Sequence, residues 1–332
     1  MRRRSRSGLS SVLAAVAACA LTAACGGTAA DGPPQDPSDG PSSGASGRVT
    51  ANGTPPGRAA SEPAPRGAAD PVVVAAGDIS ARCKTDGCGA RATSDLVLRL
   101  HPTAVLALGD LQYPAGALSD FRTYYDATWG RFKDRTKPAP GNHEYITPGA
   151  EGYFRYFGAA ARPEGKSYYS FDLGEWHLVS LDSMAGHGPG SAQVAWLTAD
   201  LAANRRPCVL AFWHHPRFSS GTAHGGDPSV APFWKALYKA RADVVLAGHE
   251  HNYERFAPLR PDGEPAGDGI RAFVVGSGGA SHYAFGPPVP GSAFRDNTDF
   301  GVLRLVLHRG GYDWRFVDTK GEALDSGTAR CH

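Results

Sequence analysis

The chain has 332 residues, of which 42% are hydrophobic, and this length and composition suit one or two domains with a sizeable core. Its 34 basic and 32 acidic residues leave a formal net charge of +2, and no basic stretch lies beyond the first six residues. Charge therefore gives no indication of nucleic-acid binding.

The N-terminus is typical of a targeting segment. Four arginines within the first six residues precede an apolar run at positions 9–24, which is short for a mature membrane-spanning helix. The run ends at Cys25, in a context that resembles a bacterial lipoprotein processing site with Cys25 as the lipidated residue. Cys19 is a second candidate, and an ordinary secretory signal is the alternative. We predict that residues 1–25 are a signal peptide and that the protein is exported, either as a cell-envelope lipoprotein or in secreted form.

A segment rich in Pro, Gly, Ser and Ala follows at residues 26–69. It has few large apolar residues, so it cannot bury enough surface to fold by itself. We interpret it as a disordered tether, and we predict that the folded domain spans residues 70–332. A lipid on the N-terminus is then the only predicted membrane contact, and the sequence does not indicate an oligomeric state.

Strand-like and helix-like segments alternate along this domain. Predicted strands lie at residues 72–76, 104–108, 168–173, 176–181, 209–213 and 244–247, with 209–213 as the central one. Helical spacing occurs at residues 91–100, 121–129, 192–203 and 232–240. The alternation predicts a layered α/β fold. Three closing strands at 273–275, 301–307 and 312–318 predict a second sheet that packs against the first.

Four cysteines lie beyond the targeting segment, at Cys83, Cys88, Cys208 and Cys331. Export permits disulfides, and four cysteines allow three pairings. Cys83 and Cys88 flank a turn-like loop, so we predict that they pair locally and that Cys208 pairs with Cys331. A metal-binding role for these thiols is the less favoured interpretation.

Five short polar motifs follow apolar runs, in an order that brings metal-ligand residue types to strand ends. They are Gly77-Asp78, Gly109-Asp110-Leu111-Gln112-Tyr113, Gly141-Asn142-His143-Glu144, His214-His215-Pro216 and Gly248-His249-Glu250-His251. Open α/β folds place their sites where the carboxyl ends of strands converge. A two-metal site needs an anionic bridge, neutral imidazoles and hard oxygen ligands. The motifs supply that set in Asp78, Asp110, Tyr113, Asn142, His214, His249 and His251.

These motifs resemble those of the calcineurin-like metallophosphoesterase superfamily, and within it those of the purple acid phosphatases. The superfamily usually opens with Asp-x-His, whereas this chain has Asp78-Ile79-Ser80 and lacks that histidine. It has instead Tyr113 three residues after Asp110, which is the purple acid phosphatase form. The resemblance implies a four-layer α/β/β/α sandwich of two mixed sheets flanked by helices. The small single-domain forms match better, because residues 26–69 are too short and polar for an added β-sandwich.

The resemblance also implies two metal ions. Fe(III) would be held by Asp78, Asp110, Tyr113 and His251. A second ion, Zn, Mn or Fe(II), would be held by Asp110, Asn142, His214 and His249. Asp110 would bridge the two ions, and a hydroxide activated by the metals would attack phosphorus.

Two further histidines have catalytic roles by the same resemblance. His143 would reach the substrate phosphate, and His224 would protonate the leaving group. His224 lies in a Gly-rich stretch, so a plain loop histidine is the alternative interpretation. His215 is expected to point away from the metals, and Glu144, Tyr253, Glu254 and Arg255 are expected to orient ligands or to pack.

The predicted function is hydrolysis of a phosphate ester at a binuclear metal centre, in the manner of an acid phosphatase that acts on monoesters. A phosphodiesterase on the same centre is the first alternative. A lipoprotein that binds phosphate or metal without catalysis is the second, and the ligands present in all five motifs argue against it.

Overall fold

A computed structural model describes residues 69–332, and the predicted signal peptide and most of the predicted tether lie outside this range. The strands are β1 Val72–Ala76, β2 Ala104–Leu108, β3 Thr136–Ala139, β4 Tyr169–Leu173, β5 Trp176–Ser180, β6 Cys208–Phe212, β7 Val244–Ala247, β8 Tyr253–Leu259, β9 Ile270–Val275, β10 Ser292–Asp296, β11 Gly301–His308, β12 Gly311–Asp318 and β13 Ala323–Arg330. The α-helices are α1 Gly89–Leu100, α2 Leu118–Asp120, α3 Asn142–Tyr145, α4 Glu151–Phe157, α5 Ala192–Ala203 and α6 Ala231–Lys239.

The strands form two mixed sheets. The first has the order β13-β12-β11-β1-β2-β3, and the second has the order β10-β8-β9-β7-β6-β5-β4. Parallel pairing joins β1 to β2 and β2 to β3 in the first sheet, and it joins β5, β6, β7 and β9 in the second. The carboxyl ends of these parallel strands carry the polar motifs.

The closing strands correct one expectation about the sheets. They do not form a sheet of their own: the segment at 273–275 belongs to β9, which pairs with β7 in the second sheet, and β11 pairs antiparallel with β1, with Val73 opposite Leu305. Strand β1 is almost wholly buried, so its free edge requires a partner for its backbone groups. The C-terminal strands supply that partner and complete the N-terminal sheet. The middle strand of the second sheet is β7, with β6 beside it.

The layers follow from the alternation of side chains along β7. Val244 and Leu246 join a core that also contains residues of β1, β2 and β11, so they face the first sheet. Val245 joins a separate core with Leu197 of α5 and Phe233 of α6. The inner strands β5, β6 and β7 of the second sheet are therefore buried on both faces, and β7 packs one face on the other sheet and one on helices. The fold is the predicted sandwich of two mixed sheets flanked by helices.

The predicted helix at residues 121–129 is interrupted. Helix α2 continues into a π-helical turn, Phe121–Tyr125, and a 3₁₀ segment follows at Trp129–Arg135. Thr128 separates them, with φ −119° and ψ −97°. Its hydroxyl donates back to the Tyr124 carbonyl, and its own carbonyl accepts from Ser94 Oγ of α1. A tertiary contact thus overrides the local periodicity.

Both predicted disulfides are present. Cys83 pairs with Cys88, and Cys208 pairs with Cys331. The second bond fixes the end of the chain to the start of β6. Between residues 69 and 332 the longest α-helices have 12 residues, and none has the length and hydropathy required to cross a bilayer.

Candidate metal centre

The backbone at the strand ends turns sharply at three of the predicted ligands. Asp78, Asp110 and His249 follow Gly77, Gly109 and Gly248, and they adopt φ values of 59°, 51° and 71°. Positive φ is uncommon for residues other than glycine, and it clusters where the surrounding structure imposes a functional geometry. The turns bring the three side chains from strand ends of both sheets into one buried region.

Two glycines make the close approach of these loops possible. A Cβ on Gly141 would lie 2.2 Å from Asp110 Oδ1, and a Cβ on Gly109 would lie 2.5 Å from His214 Nδ1. Gly109 also has φ +85°, a conformation that L side chains rarely adopt. The glycines of these motifs therefore serve the packing of the site itself.

Four side-chain atoms that could each bind a metal ion meet in a first cluster, which we call a donor cluster. The hydroxyl of Tyr113 lies 3.0 Å from Asp78 Oδ1, 3.1 Å from Asp110 Oδ2 and 2.9 Å from His251 Nε2. His251 Nε2 is 3.2 Å from Asp78 Oδ1. These four residues are the ones that the sequence assigned to the iron.

A second cluster lies around His214 Nε2. That atom is 3.1 Å from Asn142 Oδ1, 3.3 Å from Asp110 Oδ2 and 3.2 Å from His249 Nδ1. These four residues are the ones assigned to the second metal. One oxygen, Asp110 Oδ2, contacts both clusters, while Asp110 Oδ1 accepts the backbone N–H of His143 at 2.9 Å.

The donor set fits a pair of metal ions. It combines two carboxylates, a phenol, an amide oxygen and three imidazoles, which are ligands that zinc, manganese and iron accept. Asp78, Asp110 and His214 are buried and lie close enough to share one ion. Two imidazole nitrogens, on His214 and His249, face each other at 3.2 Å within this set. Lone pairs that are buried together without a partner are unfavourable, and bound cations would compensate for them.

Protonation in the metal-free protein reflects the same crowding. Burial alone would raise the pKa of Asp110, but the neighbouring rings of His214 and His143 lower it instead. Burial disfavours the charged form of His214, yet the charge of Asp110 outweighs burial and raises the pKa of His214 to about 9. The pKa of His249 is lowered by burial and by the charge of His214. Burial, followed by the charges of Asp78 and Asp110, raises the pKa of Tyr113.

Hydrogen bonds outside the clusters orient two of the rings. His214 Nδ1 lies 2.8 Å from the Leu108 carbonyl oxygen, which can only accept, so this nitrogen carries the proton and leaves Nε2 free as a ligand. His251 Nδ1 lies 2.6 Å from Ser281 Oγ, a contact that holds the ring with Nε2 toward Tyr113. The Leu108 carbonyl thus selects the His214 tautomer that metal binding requires, and Ser281 orients the His251 ring.

Glu144 holds the backbone of the loops that carry the proposed ligands, as expected of a residue that orients ligands. Its buried carboxylate accepts the backbone N–H groups of Asp110 at 2.9 Å, Leu111 at 2.9 Å, Gln112 at 3.3 Å and Gly141 at 2.7 Å. Burial and then the charge of Asp110 raise the pKa of Glu144 to about 7. One side chain thus connects the loops after β2 and β3.

The two predicted catalytic histidines border the clusters. The ring of His143 lies 4.3 Å from the ring of Tyr113, and its Nε2 is 3.8 Å from Asp110 Oδ2. Its Nδ1 lies 2.6 Å from the Pro114 carbonyl oxygen and therefore donates to it. The exposed ring of His224 stacks on His249 at 4.1 Å. Both imidazoles stand where a group bound at the clusters would meet them.

His215 corrects an expectation, since its ring does not point away from the site. It lies 4.3 Å from the ring of His249, and its Nδ1 is 2.7 Å from Ser183 Oγ. His214 and His215 follow β6 in irregular backbone, where neighbouring side chains no longer alternate between faces. The Ser183 contact fits a supporting role for His215.

Two residues near the centre were missed by the sequence reasoning. Glu250 Oε1 accepts the backbone N–H groups of His224 at 2.6 Å and Gly225 at 2.5 Å, so it holds the loop that carries His224. Tyr283 stacks on His251 with ring centres 3.9 Å apart. The position of Glu250 between two predicted ligands was the available signal, while nothing around Tyr283 in the sequence indicated the site.

The other flanking residues are structural. Glu254 accepts from Ser220 and Ser292, and it fastens the loop before α6 to β10. Arg255 and the Tyr253 hydroxyl both bind the carboxylate of Asp325 on β13. They pack the second sheet against the first, as expected.

Comparison with known proteins gives a consistent result. The family model described as calcineurin-like phosphoesterase matches residues 71–253. Purple acid phosphatase 21 of Arabidopsis thaliana is 34% identical over 154 residues, which cover 43% of this chain and 35% of that protein. Purple acid phosphatase 23 of the same plant is 31% identical over 202 residues, which cover 49% and 44%. The chain spans less than half the length of these curated relatives.

A solved structure shares the fold. Purple acid phosphatase from yellow lupin seeds superposes with a TM-score of 0.66 at 22% identity, over 78% of this chain and 53% of that one.

Proposed function

We propose a function for a chain that belongs to the calcineurin-like phosphoesterase family, as its motifs predicted. The proposal is that it is a binuclear metal-dependent hydrolase of phosphoric esters, and that it acts on monoesters. The observation that carries it is the shared oxygen Asp110 Oδ2, which lies 3.1 Å from Tyr113 in one donor cluster and 3.3 Å from His214 in the other.

The two clusters define the proposed ligands. Asp78, Asp110, Tyr113 and His251 would hold Fe(III), since a phenol oxygen is a hard ligand. Asp110, Asn142, His214 and His249 would hold Zn, Mn or Fe(II). When bound, such a metal pair supplies an activated water and neutralises charge on the phosphoryl oxygens.

The surrounding side chains suit a phosphate ester. His143 donates its Nδ1–H to the Pro114 carbonyl, so its Nε2 lies on the side of Asp110 and can donate to a phosphoryl oxygen there only when the ring is doubly protonated. His224 stacks over His249 and would give a proton to the departing alcohol, a role that imidazole performs near neutral pH. One imidazole beside the phosphoryl oxygens and one beside the leaving group support hydrolysis of a phosphate ester, and the monoester preference is the part of the proposal that a comparison of substrates tests.

We also propose that the protein is exported, with a lipid on Cys25 as its membrane anchor. The two disulfides support an oxidising location. The fourfold set of Arg residues before the apolar run supports a signal peptide. A fractionation of cells that express wild-type or Cys25→Ala protein tests the anchor, because the variant should leave the membrane fraction. A variant that stays on the membrane would exclude Cys25.

The enzymatic proposal is tested on the purified full chain by metal analysis and by turnover of 4-nitrophenyl phosphate beside bis(4-nitrophenyl) phosphate. We expect two metals per chain and faster turnover of the monoester. Asp110→Asn should lose at least one metal and most activity, whereas Asp134→Asn, at a carboxylate that is 77% exposed, should lose neither. Faster diester turnover would favour the phosphodiesterase, and no turnover of either ester by metal-loaded protein would favour a binding protein.

The iron assignment has a test of its own. Tyrosinate bound to Fe(III) gives a visible charge-transfer band, so the oxidised protein should be coloured and Tyr113→Phe should be colourless. Phenylalanine keeps the ring that packs 4.3 Å from His143, and the far-UV circular dichroism should therefore be unchanged. A colourless wild-type protein with iron bound would contradict the role of Tyr113.

A further inference from the structure

Exposed large hydrophobic side chains are rare in the part of the chain that the structure describes. The three examples are Leu98 at 37%, Ile146 at 57% and Met184 at 40% of their surface. Leu98 lies on α1. Ile146 instead lies two residues after Glu144 of the third motif, and Met184 follows Ser183, whose hydroxyl lies 2.7 Å from His215 Nδ1.

Ile146 shares a face with a proposed ligand. It continues the αR backbone of α3, with φ −60° and ψ −38°, and it lies four residues after Asn142. Residues four apart lie on the same helix face, about 6 Å along the axis. Asn142 Oδ1 is directed at His214 on that face. Ile146 is therefore one turn away from the donor clusters and open to solvent.

Met184 lies in the loop after β5, on the side of the centre where His215 and His249 are found. The preceding residue, Ser183, contacts His215, whose ring lies 4.3 Å from His249. The buried carboxylate of Asp182 joins the two loops, since it accepts from the Tyr145 hydroxyl at 2.5 Å and from the Met184 backbone N–H at 2.9 Å. The Asp182 carboxylate thus holds both Met184 and Tyr145, the residue that precedes Ile146.

The charged groups in direct contact with the proposed ligands are histidine and carboxylate. For the described residues, the hydrogen bonds, ion pairs and ring contacts of the seven proposed ligands, His143 and His224 include no lysine or arginine. A polyphosphate or a second phosphate on the substrate would find no such cation at these contacts. An uncharged apolar group would find Ile146 and Met184.

We propose that Ile146 and Met184 form an apolar subsite that binds the leaving group of the substrate, and that the preferred substrates are monoesters of alcohols with an alkyl chain or an aryl ring. The inference rests on the proposed phosphatase function and names the substrate class for it. Contact of the leaving group with the subsite would raise kcat/KM, because apolar surface would leave water on binding.

The experiment compares ethyl, butyl and hexyl phosphate with the full, metal-loaded chain. These leaving groups have nearly equal acidity, so their chemistry is matched and only their apolar area differs. A fully buried methylene is worth about fourfold in binding, and partial burial against two side chains should give about tenfold higher kcat/KM for hexyl than for ethyl phosphate. Ile146→Ser with Met184→Ser should reduce that ratio to near one. Leu98→Ser removes a comparable exposed side chain and should leave the ratio unchanged.

Calorimetric binding of hexylphosphonate and ethylphosphonate, which are not hydrolysed, gives a second measurement. We expect tighter binding of the hexyl compound by wild type and not by the double variant. Turnover of all three esters at one rate, or a hexyl preference that persists in the double variant, would overturn the subsite while the phosphatase proposal stands. Phosphonate binding that depends on Ile146 and Met184, with no ester hydrolysed, would keep the subsite and overturn the phosphatase. Loss of both turnover and phosphonate discrimination would overturn both.

Discussion

The Glu144 carboxylate accepts the backbone N–H of Asp110 at 2.9 Å. The same carboxylate accepts the N–H of Gly141, next to the proposed ligand Asn142. Two loops that must converge on the same metal pair are thus joined by one buried acid, which acts through backbone atoms. Glu144 positions the centre without being a part of it.

Glu144→Gln should weaken both the fold and metal binding. Glutamine keeps the shape, but its amide has one oxygen for four backbone donors and directs an NH₂ group at the others. An unpaired buried donor costs about 1–3 kcal/mol, so we expect a loss of about 3 kcal/mol in the free energy of unfolding. Urea unfolding and metal analysis measure the two effects. Glu151→Gln changes a glutamate that is 66% exposed and should alter neither, and a Glu144→Gln protein with wild-type stability would contradict this account.

His224→Ala should affect substrates according to their leaving groups. A general acid contributes about a hundred- to ten-thousand-fold, and most of it where the alcohol is a poor leaving group. Turnover of hexyl phosphate should therefore fall far more than turnover of 4-nitrophenyl phosphate, with metal content unchanged. Equal slowing of both esters would indicate that His224 binds substrate without transferring a proton.

Glu250→Gln should also slow turnover of hexyl phosphate more than turnover of 4-nitrophenyl phosphate, although Glu250 would not itself transfer the proton. Its Oε1 holds the backbone N–H groups of His224 and Gly225, so the variant loosens the loop while the imidazole remains. We expect a smaller loss in the same direction, about tenfold on the alkyl ester. A kinetic pattern that slows both esters alike would argue against positioning through this loop.

The stability of the fold should depend on pH through His177, which lies far along the second sheet from the metal motifs. Its ring nitrogens lie 2.9 Å from Asp172 and 2.8 Å from Asp200. Burial alone would lower the pKa of His177, but the two carboxylates outweigh it and raise that pKa above its usual value. The charged ring thus stabilises the folded state fully below pH about 6.5, and this contribution disappears as pH rises through the raised pKa.

His177→Gln removes that charge at every pH. Urea unfolding at pH 6 should show a loss of about 2 kcal/mol, and the loss should be smaller at pH 9, because the wild-type ring loses its charge as pH rises through its raised pKa. His101→Asn serves as the control, since His101 is exposed and asparagine tolerates its φ of 47°. A loss that is the same at both pH values would contradict a role for the charge.

The two disulfides should differ in their effect on stability. Cys208 and Cys331 are 123 residues apart, whereas Cys83 and Cys88 are five apart. In the chain-entropy account, a longer closed loop restricts the unfolded chain more. Replacing both cysteines of the long bond with alanine should cost about 5 kcal/mol in urea unfolding, against about 2 kcal/mol for the short one. A larger loss from the short bond would contradict this order.

Local patterns sufficed for the parts of the fold and site that depend on a few neighbouring residues. Buried strands such as β2 could be predicted from their apolar runs, and the Gly-Asp pairs after β1 and β2 indicated a turn at each strand end. Both disulfides followed from spacing. The seven proposed ligands could be named because each lies in such a motif, and the structure brings them within hydrogen-bonding distance of one another.

The parts that escaped depend on distant partners. Strand β13, Ala323–Arg330, has exposed or half-buried side chains at all positions but one. It therefore has no apolar pattern, and only its pairing with β12 makes it a strand. The pairing of β1 with β11 decides which sheet the C-terminus joins, and no local signal contains it. The bond from Glu250 to the loop 26 residues earlier is hidden for the same reason.

The pairing of β1 with β11 bears on the order in which the protein folds and binds metal. The backbone of His249 donates to Asp78 across 171 positions of the chain, and β1, which leads into Asp78, is held on one side by a strand more than 220 residues later. A nascent chain that has emerged only as far as the fifth motif has every proposed ligand but an incomplete first sheet. Contacts between such distant positions form late. Metal binding would then follow formation of the first sheet. The ions would stabilise a chain that is already folded, and they would not direct its folding.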